Sequence, residues 1–581
     1  MAEDKYSKIM ELAKRRGFFW PSYEIYGGVA GFYDLGPYGV LLKNRIVEKW
    51  RRFFVADHSN YVVEIETPII GPDKVYIASG HVENFTDPIV ECLRCGRKFR
   101  ADHLIKNALG IDVEGATPEE MTNIIRENNI RCPVCGGPLG EVRTFNLLFK
   151  TQIGPYEGNT GYFRPELAQG MFVAFKRVYE AMRSRIPLGI AQVGRVGRNE
   201  ISPRQAMMRL REFNIMEMEY FMDPEDPEGS CPFFYRRENA RLRILPYNLK
   251  VEGGEPVEYT VAEAVDEGVI IHRCLAYWMA VANDFIQSIG VPYSEIYFEE
   301  KGPKERAHYS SQTFDQLVRV SRWGWVEVSG HSYRGDYDLS RHMKFSGQDL
   351  TVFKPYPEPR VETRTEYFVD KAYVGRTFKS RAREVFRLLE GVGQEELARA
   401  VREGKPLKLG DIIIPPDAIK TKNVKMKISG KKYIPHVVEP SFGVERVVYV
   451  AFEHAYREKE GRVILSFPRD IAPVQVAVLP LVEEEPLLKK AMDVYHLLRE
   501  SGFYAVYDDT GSIGKRYARY DEIGVPAAVT IDFQTLEDDT VTVRDRDSWR
   551  QVRVPAAVLP EKLKLYINGA SLEELGEPVN S

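Results

Sequence analysis

GRVGRNEISPRQAMMRLREFNIMEMEY, residues 194–220, decides the fold. It reads as two antiparallel strands joined by a polar loop, Ile201 to Met207, with Pro203 inside it. In the second strand, side chains alternate between faces. Arg209, Arg211, Phe213, Ile215, Glu217 and Glu219 fall on one face. Leu210, Met216, Met218 and Tyr220 fall on the other, with Glu212 and Asn214. The second set is mostly apolar and suits packing on a helix layer. The first holds two cations, an aromatic plate and two carboxylates, groups that are costly to bury unpaired. A bound ligand of mixed charge accounts for them. Arginines suit phosphates, a flat ring suits a base, and carboxylates suit an amine or a magnesium ion. An amino acid beside ATP carries all of these parts.

The other strands repeat the theme. Strand 190–200 places Gln192, Arg198 and Glu200 on one face. Trp323 to Ser329 does the same for Trp325, Glu327 and Ser329, and HVVEPS, 436–441, for Glu439 and Ser441. A helix, FGVERVVYVAFEHAY, follows with Arg446 in its first turn, and Gly443 lets the backbone approach a ligand closely. Any one strand glutamate is most simply a solvated group. Several of them beside Arg198, Arg209, Arg211 and Arg446 point to a site that holds a polyphosphate, a magnesium ion and an ammonium group.

Composition sets outer bounds. A chain of 581 residues holds several domains. With 44% hydrophobic and 28% charged residues it is ordinary globular material. A formal charge of -4 excludes a generally basic coat but not a local basic face. No apolar run is long enough to span a bilayer, and the N-terminus lacks the apolar stretch of a secretory signal, so no membrane role and a cytoplasmic location are expected. Four of the six cysteines form two CxxC knuckles, Cys92 with Cys95 and Cys132 with Cys135, each followed by a glycine. Such a set can close a tetrahedral thiolate shell around structural Zn²⁺, leaving no open position for catalysis; four free loop cysteines are the plainer alternative.

Along the chain, residues 1–20 read as an amphipathic helix and 21–39 as a Gly- and Tyr-rich loop that lies close to a ligand or another subunit, or is a plain surface turn. Leu41 to Asp57 reads as a helix, Tyr61 to Glu66 as a strand, residues 103–130 as helical, and 146–160 as a strand and Gly-rich turn. A helix starts near Pro165; Ile270 to Ile289 is helical, and Glu305 to Arg319 reads as a short helical segment. Residues 224–262 and 351–433 look like insertions. The second ends in a lysine-rich strand pair, 420–432, whose lysines either contact nucleic-acid phosphates or protect a solvated edge. After Pro473 the pattern becomes strand–helix–strand, an α/β domain of about 110 residues.

These blocks carry a resemblance. RNE at 198–200, the loop and REF at 211–213 resemble motif 2 of class II aminoacyl-tRNA synthetases; GVER at 443–446 resembles motif 3, and Leu41 to Pro68 motif 1. EIYGGVAGFYDLGP, SGHVENFTDP, RPELAQG, GRNEISPRQ and EPSFGVER together resemble the archaeal and eukaryotic dimeric type that is specific for glycine, over nearly the whole chain. Glu445 departs from the glycine often found there, while Arg446 keeps its place. The resemblance implies an α+β fold: a six-stranded antiparallel sheet flanked by helices, a zinc-ribbon-like insertion and a C-terminal α/β anticodon-binding domain. It divides the chain into catalytic core at 1–90 with motif 1, a zinc-knuckle insertion at 91–140, core at 141–223 with motif 2, an insertion at 224–262, core at 263–350, a second insertion at 351–433, core at 434–470 with motif 3, and the anticodon-binding domain at 471–581.

The activity implied is ligation of glycine to tRNA(Gly) through glycyl-adenylate, with Mg²⁺ accompanying ATP, in a homodimer joined through motif 1. Catalysis falls to Arg198, Glu200 and Arg446. Glycine binding falls to Arg100, Glu166, Phe213, Glu217, Glu439 and Ser441. ATP binding falls to Arg198, Asn199, Glu200, Arg209, Leu210, Phe213, Glu327, Val328, Gly443 and Arg446. The alternatives are a class II synthetase for another amino acid and a non-catalytic nucleic-acid-binding relative. The second should have lost the ATP arginines, which are present here.

Overall fold

The computed structural model describes residues 4–579 apart from positions 112, 114, 156, 157 and 204. Position 204 in the motif 2 loop, positions 156 and 157 in the expected turn, and the extreme ends of the first and last expected domains therefore lie outside the described residues.

The central sheet has nine strands among the described residues: β1 Val62–Glu64, β2 Leu188–Gly197, β3 Glu212–Met222, β4 Arg241–Leu245, β5 Val257–Thr260, β6 Ile296–Glu300, β7 Gln312–Val320, β8 Gly324–Gly335 and β9 His436–Gly443. Their spatial order is β5-β4-β6-β7-β8-β9-β3-β2-β1. The inner six, β6 to β2, are antiparallel throughout, which is the expected catalytic sheet. β1 adds in parallel at one edge and β4 at the other, with β5 antiparallel outside it. Thus the 224–262 segment, read as an insertion, supplies two strands of this sheet. Glu305 to Arg319, read as helical, is mostly β7 instead. Its Val318 and Val320 are buried in the sheet's core, and that tertiary burial outweighs local helix preference.

Helices cover both faces. α1 Pro37–Phe54, α2 Ala168–Ala181, α3 Arg273–Ser288, α4 Tyr337–Ser346 and α5 Val444–Ala455 matter most for the site. α1 opens with Pro37 in its first turn, where a missing N–H costs nothing. Beneath one face, Trp50 and Phe54 of α1 stack at 5.1 Å, and Phe54 stacks on Trp278 of α3 at 5.7 Å. Met216, Met218 and Tyr220 of β3 enter this core, as alternation requires. On the opposite face Phe221 stacks on Phe175 of α2 at 4.3 Å. The face that carries Glu217 and Glu219 is thus closed beyond Glu219 by a packed helix.

Residues 475–579 hold a second sheet: β10 Val476–Pro480, β11 Ala505–Tyr507, β12 Ala527–Ile531, β13 Thr540–Asp545, β14 Gln551–Pro555 and β15 Glu577–Pro578, in the order β11-β10-β12-β13-β14-β15. The first three are parallel, joined by helices Glu485–Glu500 and Ile513–Ile523, and the rest antiparallel.

Residues 351–434 form a compact unit of their own. Strand Val352–Val369 pairs with strand Ile419–Tyr433 in a long ribbon, so the lysine-rich stretch is one strand of a pair rather than a pair in itself. Val374, Val385, Ile412 and Ile414 centre its core, while Lys420, Lys422, Lys425 and Lys427 are exposed. Among the described residues of the whole chain, no helix is long and apolar enough to cross a membrane.

Candidate active site

One cavity of about 410 Å³ opens on the outer face of the central sheet. Twelve of the residues singled out from the sequence line it: Glu166, Arg198, Glu200, Arg209, Leu210, Phe213, Glu217, Glu327, Glu439, Ser441, Gly443 and Arg446. The sheet order brings them together. β3, β9 and β8 are neighbours, and the β3–β9 register sets Glu217 directly beside Ser441. α5 starts where β9 ends, which delivers Arg446 to the same opening.

One end is rich in guanidinium groups. Arg446 donates from Nε to the Met208 carbonyl at 2.8 Å and from Nη1 to the Glu327 carbonyl at 3.0 Å. Its Nη1 also lies 3.2 Å from the Glu327 carboxylate. Arg209 pairs with Glu200 at 3.0 Å. The Arg198 guanidinium lies over the Phe213 ring, 5.4 Å from its centre, and donates to the Pro165 carbonyl at 3.0 Å. Lys301 pairs with Asp315 at 2.9 Å on the same wall. Burial and the nearby Glu327 carboxylate push the Asp315 carboxyl up to about 7 against that lysine. Guanidiniums already anchored to carbonyls are preorganised donors for phosphate oxygens.

The other end is acidic and closed. Carboxyl oxygens of Glu217, Glu219 and Glu439 all lie within 4.8 Å of one another, and all three residues are buried. Arg334 is their cation. Its Nη1 lies 3.0 Å from Glu439, and Nε and Nη2 donate to the two oxygens of Asp338 at 2.8 and 3.0 Å. The Tyr309 ring covers that guanidinium, its centre 3.6 Å away. Burial would push the Glu166 carboxyl up, but His81, with Nε2 at 3.4 Å, and Arg334, at 3.7 Å, hold it well below the usual carboxylate range. Glu217 Oε2 accepts the Leu167 N–H at 2.7 Å, just before α2. Burial, with Glu439 and Glu166 beside it, nevertheless pushes the Glu217 carboxyl well above its ordinary range. An ammonium group entering here would lower it.

Residues 475–565 match the family model described as an anticodon binding domain. Among curated proteins, the chain is 66% identical to a glycine–tRNA ligase of Aeropyrum pernix over the full length of both. It is 48% identical to that of Pyrococcus furiosus, covering 98% of this chain and 100% of the relative. The chain belongs to the glycine–tRNA ligase family. Among solved structures, a prolyl-tRNA synthetase from Cryptosporidium parvum shares the fold at 13% identity, with a TM-score of 0.50 over 99% of this chain and 77% of that one.

Several expected residues of this glycine–tRNA ligase family member sit elsewhere. Arg100 does not line the cavity; its guanidinium is held by Asp102, with 2.8 Å at the shortest, and by Asp87 at 2.9 Å. Asn199 is also outside the lining and donates its N–H to the Leu147 carbonyl. Val328 points into the hydrophobic core. Arg211 turns away, donating to the carbonyls of Ala30 and Glu200, because β3 begins only at Glu212 and strict alternation does not reach back to it. The same early end of alternation lets Leu210 line the cavity beside Arg209. Ser329 faces the core side, bonded to Gln316 and His331. A bulge in β8 explains this: Gln316 pairs with Ser329 but Leu317 with Glu327, so one residue is skipped and the faces exchange. Beyond the bulge Gly330 and Ser332 line the cavity, and Arg334 follows on that face. The bulge hides Arg334 and, one turn on, Asp338 from period-two reading, while Tyr309 and Asp315 fall in the stretch that reads as helical. The departure at Glu445 acquires a role too. Its carboxylate, 7% exposed, accepts the Asn214 backbone N–H at 2.8 Å and the Asn214 side-chain amide at 2.6 Å.

The two cysteine knuckles also converge. Cys92 and Cys135 sulfurs are 3.5 Å apart, and those of Cys95 and Cys132 3.8 Å. Tetrahedral zinc with bonds near 2.3 Å needs sulfur–sulfur edges of about 3.8 Å, so the four thiols are already spaced to hold it.

Glu445→Ala should cost about 1–3 kcal/mol of stability, since it strands donors of Asn214 that the carboxylate satisfies. Urea unfolding of the variant checks this; a stability equal to the wild type would show that Asn214 does not depend on Glu445.

Proposed function

We propose that this chain activates glycine with ATP and transfers the glycyl group to the 3′-end of tRNA(Gly). What carries the reading is the meeting of Glu217, Glu439 and Arg446 in one cavity with an acidic closed end and a cationic open end. The carboxylate of glycine attacks the α-phosphorus of ATP, and pyrophosphate leaves. No protein nucleophile is required; the chain positions the reactants and offsets charge.

Phe213 stacks on adenine and Glu200 receives its amino group. Arg198 clamps the α-phosphate, Arg446 the γ-phosphate, and Arg209 steadies the nucleotide. Glu327 is placed to hold magnesium, which when bound neutralises charge on the departing pyrophosphate. The ammonium of glycine sits among Glu166, Glu217, Glu439 and Ser441. Arg100, oriented by Asp87 and Asp102 and close enough to Glu200 to feel its charge, supplies positive charge toward the glycine carboxylate. Selection is by exclusion: the closed end, walled by Tyr309 and the carboxyls of Glu166, Glu217 and Glu439, admits the ammonium and rejects a β-carbon. Glycine needs no editing site for larger amino acids, because a clash rejects them at binding.

We further propose a cytoplasmic homodimer joined through α1 and β1, structural zinc on Cys92, Cys95, Cys132 and Cys135, and anticodon contact by the domain at 471–581. The exposed lysines of the 419–433 strand suit contact with tRNA phosphates.

Glycine-dependent exchange of pyrophosphate into ATP tests the main reading. Glu217→Ala and Glu439→Ala should reduce it about 10³-fold or more, since each removes a buried partner of the ammonium. Arg446→Ala should raise the KM for ATP about 10-fold or more, with the KM for glycine changed far less. Equal losses for both substrates would remove Arg446 from the phosphates. Metal analysis of the purified protein should find zinc at one per chain, lost when Cys132 and Cys135 are both changed to serine, which leaves only two of the four thiolates; zinc absent from the wild type would refute that site.

A further inference from the structure

Glu219 has no task in the reaction described above. It stands two residues beyond Glu217 on β3, so it shares that face. The β3–β9 register runs through Glu217–Ser441 and Tyr220–Val438, which sets Glu439 opposite it. Its side chain is fully buried, and neither carboxyl oxygen has a hydrogen-bond partner among the described residues. It does not line the cavity; it lies behind Glu217 and Glu439, within 4.8 Å of both.

Its neighbours are compensated in ways it is not. Glu217 receives the Leu167 N–H, and Glu439 has the Arg334 guanidinium. Arg334 is the nearest cation, but its other nitrogens are committed to Asp338. Three carboxylates this close, away from water, cannot all be charged; Glu217 shares a hydrogen bond with Glu439, and Glu219, the one without a donor, is the least able to carry charge. Burial first and Glu439 next push the Glu219 carboxyl well above its ordinary range, in agreement.

We propose that Glu219 is a positioning residue: a neutral carboxylic acid beneath the glycine site that donates its O–H toward Glu439 across the strand pair. This rests on the glycine site assigned above. The proton keeps Glu439 aimed at the ammonium and keeps the pocket floor from carrying a charge that one ammonium and Arg334 could not balance. Glu219 forms no bond to substrate, and its proton is not transferred in the reaction.

The test compares wild type, Glu219→Gln and Glu219→Ala. Infrared spectra at neutral pH read protonation without substrate: the wild type should show a carboxylic-acid carbonyl band that Glu219→Gln lacks. In pyrophosphate exchange, Glu219→Gln, which keeps shape and a donor, should raise the KM for glycine only about 3-fold. Glu219→Ala should raise it about 30-fold or more, with the KM for ATP changed far less. Losses in Glu219→Gln as large as in Glu219→Ala would mean that Glu219 is a charged carboxylate or holds a cation. A glycine KM in Glu219→Ala equal to that of the wild type, or no band difference, would overturn the proposal equally. Should Glu219→Ala fail to fold, the infrared band and Glu219→Gln still decide. Absence of exchange in the wild type would instead sink the glycine site itself, leaving the infrared result to speak for Glu219 alone.

Discussion

Negative charge gathered out of water, with too little positive charge to match it, is the constraint on which the rest of the structure depends. Glu166, Glu217, Glu219, Glu439 and Asp338 lie buried around the single guanidinium of Arg334. Removing carboxylates from water costs several kcal/mol each unless partners replace the lost hydration. The chain meets this in three ways. It pairs Glu439 and Asp338 with Arg334, brings His81 and Gln169 to Glu166, and raises the proton affinity of Glu217 and Glu219. What remains is an appetite for one more small cation at the cavity's closed end. Glycine's ammonium fits that demand, and its lack of a side chain fits the space.

The second half of the account is charge of the other sign at the open end. Arg446, Arg209, Arg198 and Lys301 each hold a carbonyl, a ring or a carboxylate before any ligand arrives. Their side chains are therefore placed in advance, and a nucleotide has little ordering left to impose. Between the two ends runs the β3–β9 strand pair, and its backbone hydrogen bonds fix how far the acidic end stands from the cationic end.

Much of this was legible in the sequence, for identifiable reasons. Period-two alternation holds wherever a strand is regular, so spacing alone puts Phe213 with Glu217 on one face of their strand and Glu439 with Ser441 on one face of theirs; the register joins the two pairs. GVER worked because a strand that ends in glycine at a helix start leaves little choice about where the next arginine goes. What was not legible depends on register or on tertiary packing. A single skipped residue in β8 exchanged Ser329 for Gly330 and hid Arg334 and Asp338. Residues 305–319 have helix-compatible spacing, yet two paired strands claim most of them as β7. Nothing local in the sequence reveals that Asp87 and Asp102 hold the Arg100 guanidinium. The family resemblance supplied roles that spacing could not, and it carried no information about the bulge.

A crystal structure of the chain with glycine and a non-hydrolysable ATP analogue tests the central claim most directly. The account predicts the glycine nitrogen within hydrogen-bonding distance of the carboxylates of Glu217 and Glu439, and the adenine flat against Phe213. Glycine bound with its nitrogen away from both carboxylates, or a nucleotide whose base lies outside this cavity, would contradict it.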